Sequence, residues 1–224
     1  MRRIKDTDIT AEWRKKLKNI PCFIIGNSAS LRKADLSCLK KYCTIGINRA
    51  FKLIDPTFLI WQDLALWSQH KKEIKKLKAI KYCRKSSDPG GKGFYHFQMT
   101  GRDHKLPPHP GSLYGRGSSG PLAYAFAYSL GCNPIVLVGM DCWYDKKGNT
   151  DFYGKNPMHR PHTIPYCHKG LKWIFKNQHK RKIINCSRSG KYFKESISLE
   201  KALKIVGPPL EGGRKEIIKK VLGK

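Results

Sequence analysis

The stretch Ser119–Gly139, SGPLAYAFAYSLGCNPIVLVG, decides the fold. Ser119–Leu130 carries no charged side chain and is rich in Ala, Leu, Tyr and Phe. A run of that length and composition, stopped by Gly131, predicts a buried helix with a glycine C-terminus. Ile135–Gly139 (IVLVG) is apolar throughout and too short for a helix, so it predicts a strand covered on both faces. A helix feeding a fully buried strand is the repeating unit of a parallel α/β sheet.

The same alternation extends in both directions. Cys22–Gly26 (CFIIG), Thr44–Asn48, Phe58–Trp61, Ile80–Cys83 and Lys182–Cys186 read as further strands. Helices are expected over Leu31–Lys41, Leu64–Lys78 and Lys169–Gln178. The fold class that follows is α/β, a Rossmann-like and mostly parallel sheet with helices on both faces. Two segments break the rhythm. Residues 86–117 are rich in Gly, Pro and His, and residues 141–166 also read as loop. Both are expected as long lid loops on the carboxyl side of the strands, where open parallel sheets take ligands. Residues 1–206 read as one Rossmann-like domain. Residues 207–224 open on Gly207-Pro208-Pro209 and read as a basic C-terminal appendage.

Composition narrows the partners. The 224 residues hold 45 Lys and Arg against 16 Asp and Glu, a formal charge of +29. With 40% hydrophobic residues the chain can bury a core, which excludes wholesale disorder. No apolar run approaches the roughly 18–20 residues of a bilayer span. The start MRRIKD lacks the apolar segment of a signal peptide, so a cytoplasmic protein is expected, with peripheral membrane contact left open. The charge favours an anionic partner: a nucleotide, a phosphorylated or otherwise acidic glycan, nucleic acid, or an acidic membrane surface. The excess is 33 Lys and only 12 Arg, whereas nucleic-acid readers lean on Arg. A solvated lysine surface accounts for it equally well. Lys71–Lys85 and Lys169–Lys194 are its densest stretches, and with Trp61, Trp67 and Trp173 they carry the nucleic-acid alternative. The eight cysteines include no C-x-x-C pair, which argues for free thiols rather than a zinc module. One mixed set of metal-ligating types exists: Cys142, His159, His162, Cys167 and His168.

Two turns carry candidate chemistry. Gly26-Asn27-Ser28-Ala29-Ser30-Leu31 follows the first strand with small residues that let a phosphate approach the backbone. Arg116-Gly117-Ser118-Ser119-Gly120 precedes the buried helix, again a small-residue helix start, now with a cation in front of it. In each case a plainly capped helix is the competing explanation.

The segment Arg116–Asp145 resembles the central motif of the bacterial α-2,3/α-2,8 sialyltransferases, and equally that of the archaeal 6-hydroxymethyl-dihydropterin diphosphokinase-like proteins. Ile47-Asn48 and Asn185-Cys186-Ser187 resemble further motifs of this superfamily in the same order, over about residues 21–203. The resemblance implies a nucleotide-dependent transferase. Its main form is a glycosyltransferase taking a nucleotide-sugar such as a CMP-sugar to a glycan or lipopolysaccharide-type acceptor. Its second form is a diphosphokinase using ATP and Mg2+. By resemblance, Gly26, Asn27, Ser28, Ser30 and Asn48 would meet the nucleotide, and Ser118, Ser119 and Gly120 its anionic group, with Arg116 beside them. Asp141 would lie near the ribose or a Mg2+ ion, Asp63 matches an Asp of the diphosphokinase-like proteins in the nucleotide site, and in a diphosphokinase Asp63 or Asp141 would ligate Mg2+. His168 would be the general base, with His162 as the alternative. Ser28 and Ala29 stand where the family has Gly and Pro, a departure that leaves the donor's pose open.

Overall fold

The computed structural model describes residues 10–87, 93–101, 105–114, 118–156, 163–177, 180–188 and 195–223. Its eight strands are β1 (Cys22–Ile25), β2 (Cys43–Ile47), β3 (Phe58–Trp61), β4 (Ile80–Arg84), β5 (Phe94–Met99), β6 (Ser112–Leu113), β7 (Ile135–Val138) and β8 (Ile183–Cys186). They form one sheet in the order β6-β5-β4-β3-β2-β1-β7-β8, with every pairing parallel. The order runs one way from β1 to β6 and reverses between β1 and β7. That reversal is a topological switch point, the place where such sheets open a crevice at their carboxyl edge.

Among the described residues five helices cover the sheet: α1 (Leu64–Lys76), α2 (Ser119–Leu130), α3 (Thr163–Lys176), α4 (Leu199–Val206) and α5 (Gly213–Leu222). Alternation along β1 sorts the layers, because successive side chains leave a strand on opposite faces. Cys22 and Ile24 face α2, α3 and α5, with Trp13 and Leu17 in the same layer. Phe23 and Ile25 face the turn residues Leu31, Leu36 and Leu39, together with Ala202 of α4. Leu59, Trp61 and Cys83 pack under α1 through Leu66 and Ile74. α2 is buried almost all round, as its uncharged sequence requires. Its Phe126 lies edge-on to Phe58 at 5.2 Å between centroids and stacks on Tyr82 at 4.3 Å. Burying such a ring contributes about 1.5–3 kcal/mol. Gly131 ends the helix with φ 88, the left-handed conformation in which a Cβ is strained.

Several expectations change. Residues 86–117 are not a pure lid, because they contain β5 and β6, which extend the sheet at its far edge. The helix expected over Leu31–Lys41 is two 3-10 turns, Ala29–Lys33 and Ser37–Lys41, separated by Ala34 in extended conformation. Asp35 explains the break: its carboxylate accepts from the Ser37 N–H at 2.8 Å and from the Ser37 hydroxyl at 3.0 Å. A side chain that satisfies the backbone locally competes with the helix ladder. The helix expected from Lys169 begins earlier, at Thr163. Trp61 is sealed in the core rather than offered for stacking. The 207–224 segment contributes α5, whose Ile217 and Val221 are buried in the core, and Arg214 pairs with Asp55 at 3.1 Å. Among the described residues, no helix is long and apolar enough to cross a membrane.

Candidate functional site

A cavity of about 430 Å³ opens at the carboxyl ends of the strands, at the β1/β7 switch point. Its floor is the β1 turn, Gly26, Asn27 and Ser28, set against Gly139 and Met140 at the end of β7. The two turns are so close that a Cβ on Gly26 would stand 2.1 Å from the Gly139 carbonyl oxygen, so only glycine fits. Asn48 closes the β2 side with φ 49, a left-handed conformation that Asn tolerates better than most residues. Asn27 joins these two strand ends by donating its Nδ2–H to the Ile47 carbonyl at 2.9 Å. Its Oδ1 is buried without a hydrogen-bond partner among the described residues. A buried acceptor left in this way costs about 1–3 kcal/mol, which a ligand hydroxyl or amine would recover.

The N-terminus of α2 forms another wall through Ser118, Ser119, Gly120 and Pro121. Ser118 occupies the N-cap position but makes no cap hydrogen bond, and the first turn holds no acid. The positive end of the helix dipole is thereby presented to the cavity. Ser119 is held by the Gln62 amide, which donates to its Oγ at 3.1 Å. Arg49 and Arg84, at the ends of β2 and β4, add two cations to the lining. Arg49 lies over the Tyr153 ring at 4.5 Å and donates to Gln69 Oε1 at 2.8 Å. Asp63 at the start of α1 and the buried Asp151 are the two carboxylates of the wall.

Residues 145–156 fold back over the β1 turn as a strap. Ala29 N–H donates to the Thr150 carbonyl at 3.2 Å and Phe152 N–H to the Asn27 carbonyl at 2.8 Å. Arg32 fastens the strap from outside, reaching the Phe152 carbonyl at 3.1 Å and Asp145 Oδ2 at 3.2 Å. Hydrogen bonds from Asn149, then Lys147 and Arg32, hold the Asp145 carboxyl down at about 2. On the α3 side the thiols of Cys142 and Cys167 meet in the wall. The Cys142 contact and a bond from Ser118 lower the Cys167 thiol, whereas Cys142 is pushed up. Burial pushes the Tyr153 hydroxyl upward.

Of the residues singled out from sequence, Gly26, Asn27, Ser28, Asn48, Asp63, Ser118, Ser119 and Gly120 line this one cavity. Ser28 also has a framework task, since its Oγ accepts from the Asp141 N–H at 2.8 Å. Ser30 and Asp141 are not in the lining. Ser30 lies within the Ala29–Lys33 turn, and Asp141 Oδ1 accepts from the Arg188 N–H at 2.8 Å. His168 is also not in the lining. Its Nε2 bonds the Cys142 carbonyl at 2.9 Å, and its ring stacks on Trp143, which is in the wall, at 5.7 Å. A carbonyl only accepts, so Nε2 carries the proton and Nδ1 is the basic nitrogen of the neutral ring. Arg116, His159 and His162 lie outside the described residues. Tyr153, a candidate lid tyrosine by resemblance, is in the lining, whereas Arg49, Gln62, Arg84 and Asp151 were not expected. The only signal for the two arginines is their position just after, or at the end of, an apolar strand.

No family model matches this sequence, and no curated protein matches it. Among solved structures, the MAf glycosyltransferase from Magnetospirillum magneticum AMB-1 is similar in fold, with a TM-score of 0.54 at 13% identity. The similarity covers 98% of this chain and 44% of that protein, so the chain spans less than half the length of this neighbour. The α/β architecture is thus shared in outline with this neighbour.

Proposed function

We propose that the chain is a glycosyltransferase that takes a nucleotide-activated sugar in the switch-point cavity and passes the sugar to an acceptor hydroxyl. The observation that carries the reading is the uncapped N-terminus of α2, facing a cavity that also contains Arg49 and Arg84. Backbone N–H groups, a helix dipole and two guanidiniums make a seat for a phosphate that must leave with negative charge. Asn27 Oδ1 supplies an acceptor for a nucleoside hydroxyl or amine. The sialyltransferase-like motifs favour a CMP-sugar as donor and a glycan or lipopolysaccharide-type acceptor. The fold of the MAf glycosyltransferase supports the class of enzyme.

In the reaction the acceptor oxygen forms a bond to the anomeric carbon as the bond from that carbon to the phosphate oxygen breaks. The nucleotide departs with the electron pair, and a base removes the acceptor proton. Asp63 is placed for that task, because it lines the cavity and its carboxylate makes no cap bond to α1. His168, whose ring stacks on Trp143 of the cavity wall, is the second candidate. Trp143 and Tyr144, 59% and 52% exposed, and Tyr166 of α3, 41% exposed, offer ring faces to an acceptor sugar at that side.

The test is a nucleotide panel read by thermal shift, followed by transfer from the matching nucleotide-sugar. CMP is expected to raise the Tm without Mg2+, and Asp63→Asn is expected to abolish transfer while leaving that shift intact. If no nucleotide monophosphate or diphosphate stabilises the protein, the proposal fails. If His168→Ala and not Asp63→Asn abolishes transfer, the base is His168.

A further inference from the structure

Cys22, Cys43 and Cys132 come from three separate segments, the starts of β1 and β2 and the turn after α2. Their sulfurs all lie within 4.8 Å of one another. All three side chains are sealed from solvent, at 0%, 1% and 0% exposure. Their positions are fixed by backbone as well as packing. Cys22 and Cys43 are register partners in the ladder, Cys22 N–H donates to the Pro134 carbonyl at 3.0 Å, and Cys132 N–H donates to the Ala127 carbonyl at 3.1 Å. This cluster lies at the amino ends of the strands, opposite the cavity.

We propose that these three cysteines form a structural site for one divalent thiophilic cation of the Zn2+ class. Zinc binds thiolate at about 2.3 Å, so three sulfurs that all lie within 4.8 Å of one another need to draw in by at most about 0.5 Å. An all-sulfur donor set selects a soft or borderline ion and rejects Mg2+ and Ca2+. Among the described residues no His, Asp or Glu joins the group. Binding converts three thiols to thiolates and releases three protons, leaving the ion and its ligands with one net negative charge. Arg181 balances that charge. Its guanidinium is within electrostatic reach of Cys132 and lies over the Tyr128 ring at 4.4 Å, and its Nε is buried without a hydrogen-bond partner among the described residues. The surroundings are the apolar residues of the main core, including Trp13, Ile24 and Leu130. The ion therefore ties β1, β2 and the α2–β7 turn together, and it is captured as the chain folds.

The experiment uses the full chain, purified from zinc-supplemented cells for metal analysis and also refolded in the presence of Cd2+ alone. One zinc per chain is expected. Refolding with Cd2+ is expected to take up one equivalent, release three protons, raise the Tm and produce the ultraviolet sulfur-to-cadmium charge-transfer band. The band should survive in the double variant Cys142→Ser/Cys167→Ser, which removes the other thiol pair, and be lost in Cys132→Ser. Wild-type protein that holds no zinc and gives no cadmium band overturns the proposal, and so does a band that persists in Cys132→Ser. If Cys132→Ser does not fold, the proton count in the Cys142→Ser/Cys167→Ser background decides, and fewer than three protons per ion overturns the three-thiolate assignment.

Discussion

The two ends of strands β1 and β2 are chemical opposites. At the carboxyl end the chain turns through Gly26, Asn27, Asn48 and Arg49, and backbone and side-chain polar groups face an open cavity. At the amino end, about four residues earlier on each strand, Cys22 and Cys43 are buried with Cys132 in an apolar layer. Parallel pairing makes this contrast possible, because every strand presents the same end to the same side. Polar and positively charged groups from strands that are distant in sequence therefore accumulate at one edge. The other edge is closed by packing. One end is organised for exchange with solvent and the other for permanence.

Substitutions at the two ends should separate accordingly. The largest effect is expected from Gly26→Val, where the new side chain meets the Gly139 carbonyl and the switch point cannot close. A loss of more than about 3 kcal/mol in denaturant unfolding, together with loss of nucleotide binding, is the expected outcome. Unchanged stability would show that the two turns can separate freely. Ile24→Ala, on the sealed part of β1, should cost about 3 kcal/mol by leaving a cavity under α2. Nucleotide affinity per folded molecule should be unchanged.

Arg84→Ala reverses the pattern. It should weaken nucleotide binding by about tenfold to a hundredfold, the value of a charge-assisted contact, with little change in unfolding free energy. Equal affinity by calorimetry would remove Arg84 from the phosphate seat. The smallest global effect is expected at the strap. Arg32→Ala breaks a pair that is 41% exposed on the arginine side, so it should cost less than about 1 kcal/mol overall while raising amide exchange at residues 150–152. The strap also has an acid limit. The Asp145 carboxyl is held at about 2, below the ordinary 3.8. Its contribution is therefore complete above the ordinary value and is lost as pH falls from there through about 2. Amide exchange at residues 145–149 should accelerate over that interval, and Asp145→Asn should abolish the pH dependence.

Much of the architecture was legible because buried parallel strands and a buried helix leave unambiguous apolar runs. Phe58–Trp61 and Ser119–Leu130 were readable to the residue. β5 was not, because FYHFQM mixes His and Gln into its run and lies in a segment dense in Gly and Pro that reads as loop. The Leu31–Lys41 reading failed because helix periodicity carries no information about a side chain such as Asp35 satisfying the backbone first. At the site, the small residues of the two turns were readable because they do local work. Arg49 and Arg84 were not, because a cation after a strand is unremarkable until sheet order brings two strand ends to one cavity. Asp141 and His168 show the converse. Asp141 accepts from the Arg188 N–H, His168 Nε2 donates to the Cys142 carbonyl, and neither side chain lines the cavity.

By itself, then, the sequence determined the layers: which segments are strands, which helix is buried, and that small residues follow the first strand and precede the second helix. These are local properties, set by side-chain polarity and backbone preference over a few residues. Tertiary structure alone decided the order of the strands, the reversal between β1 and β7, the cations that meet at the cavity and the three thiols that meet at the opposite edge. Each is a coincidence in space of residues separated by tens of positions, and only the closing of the sheet fixes it.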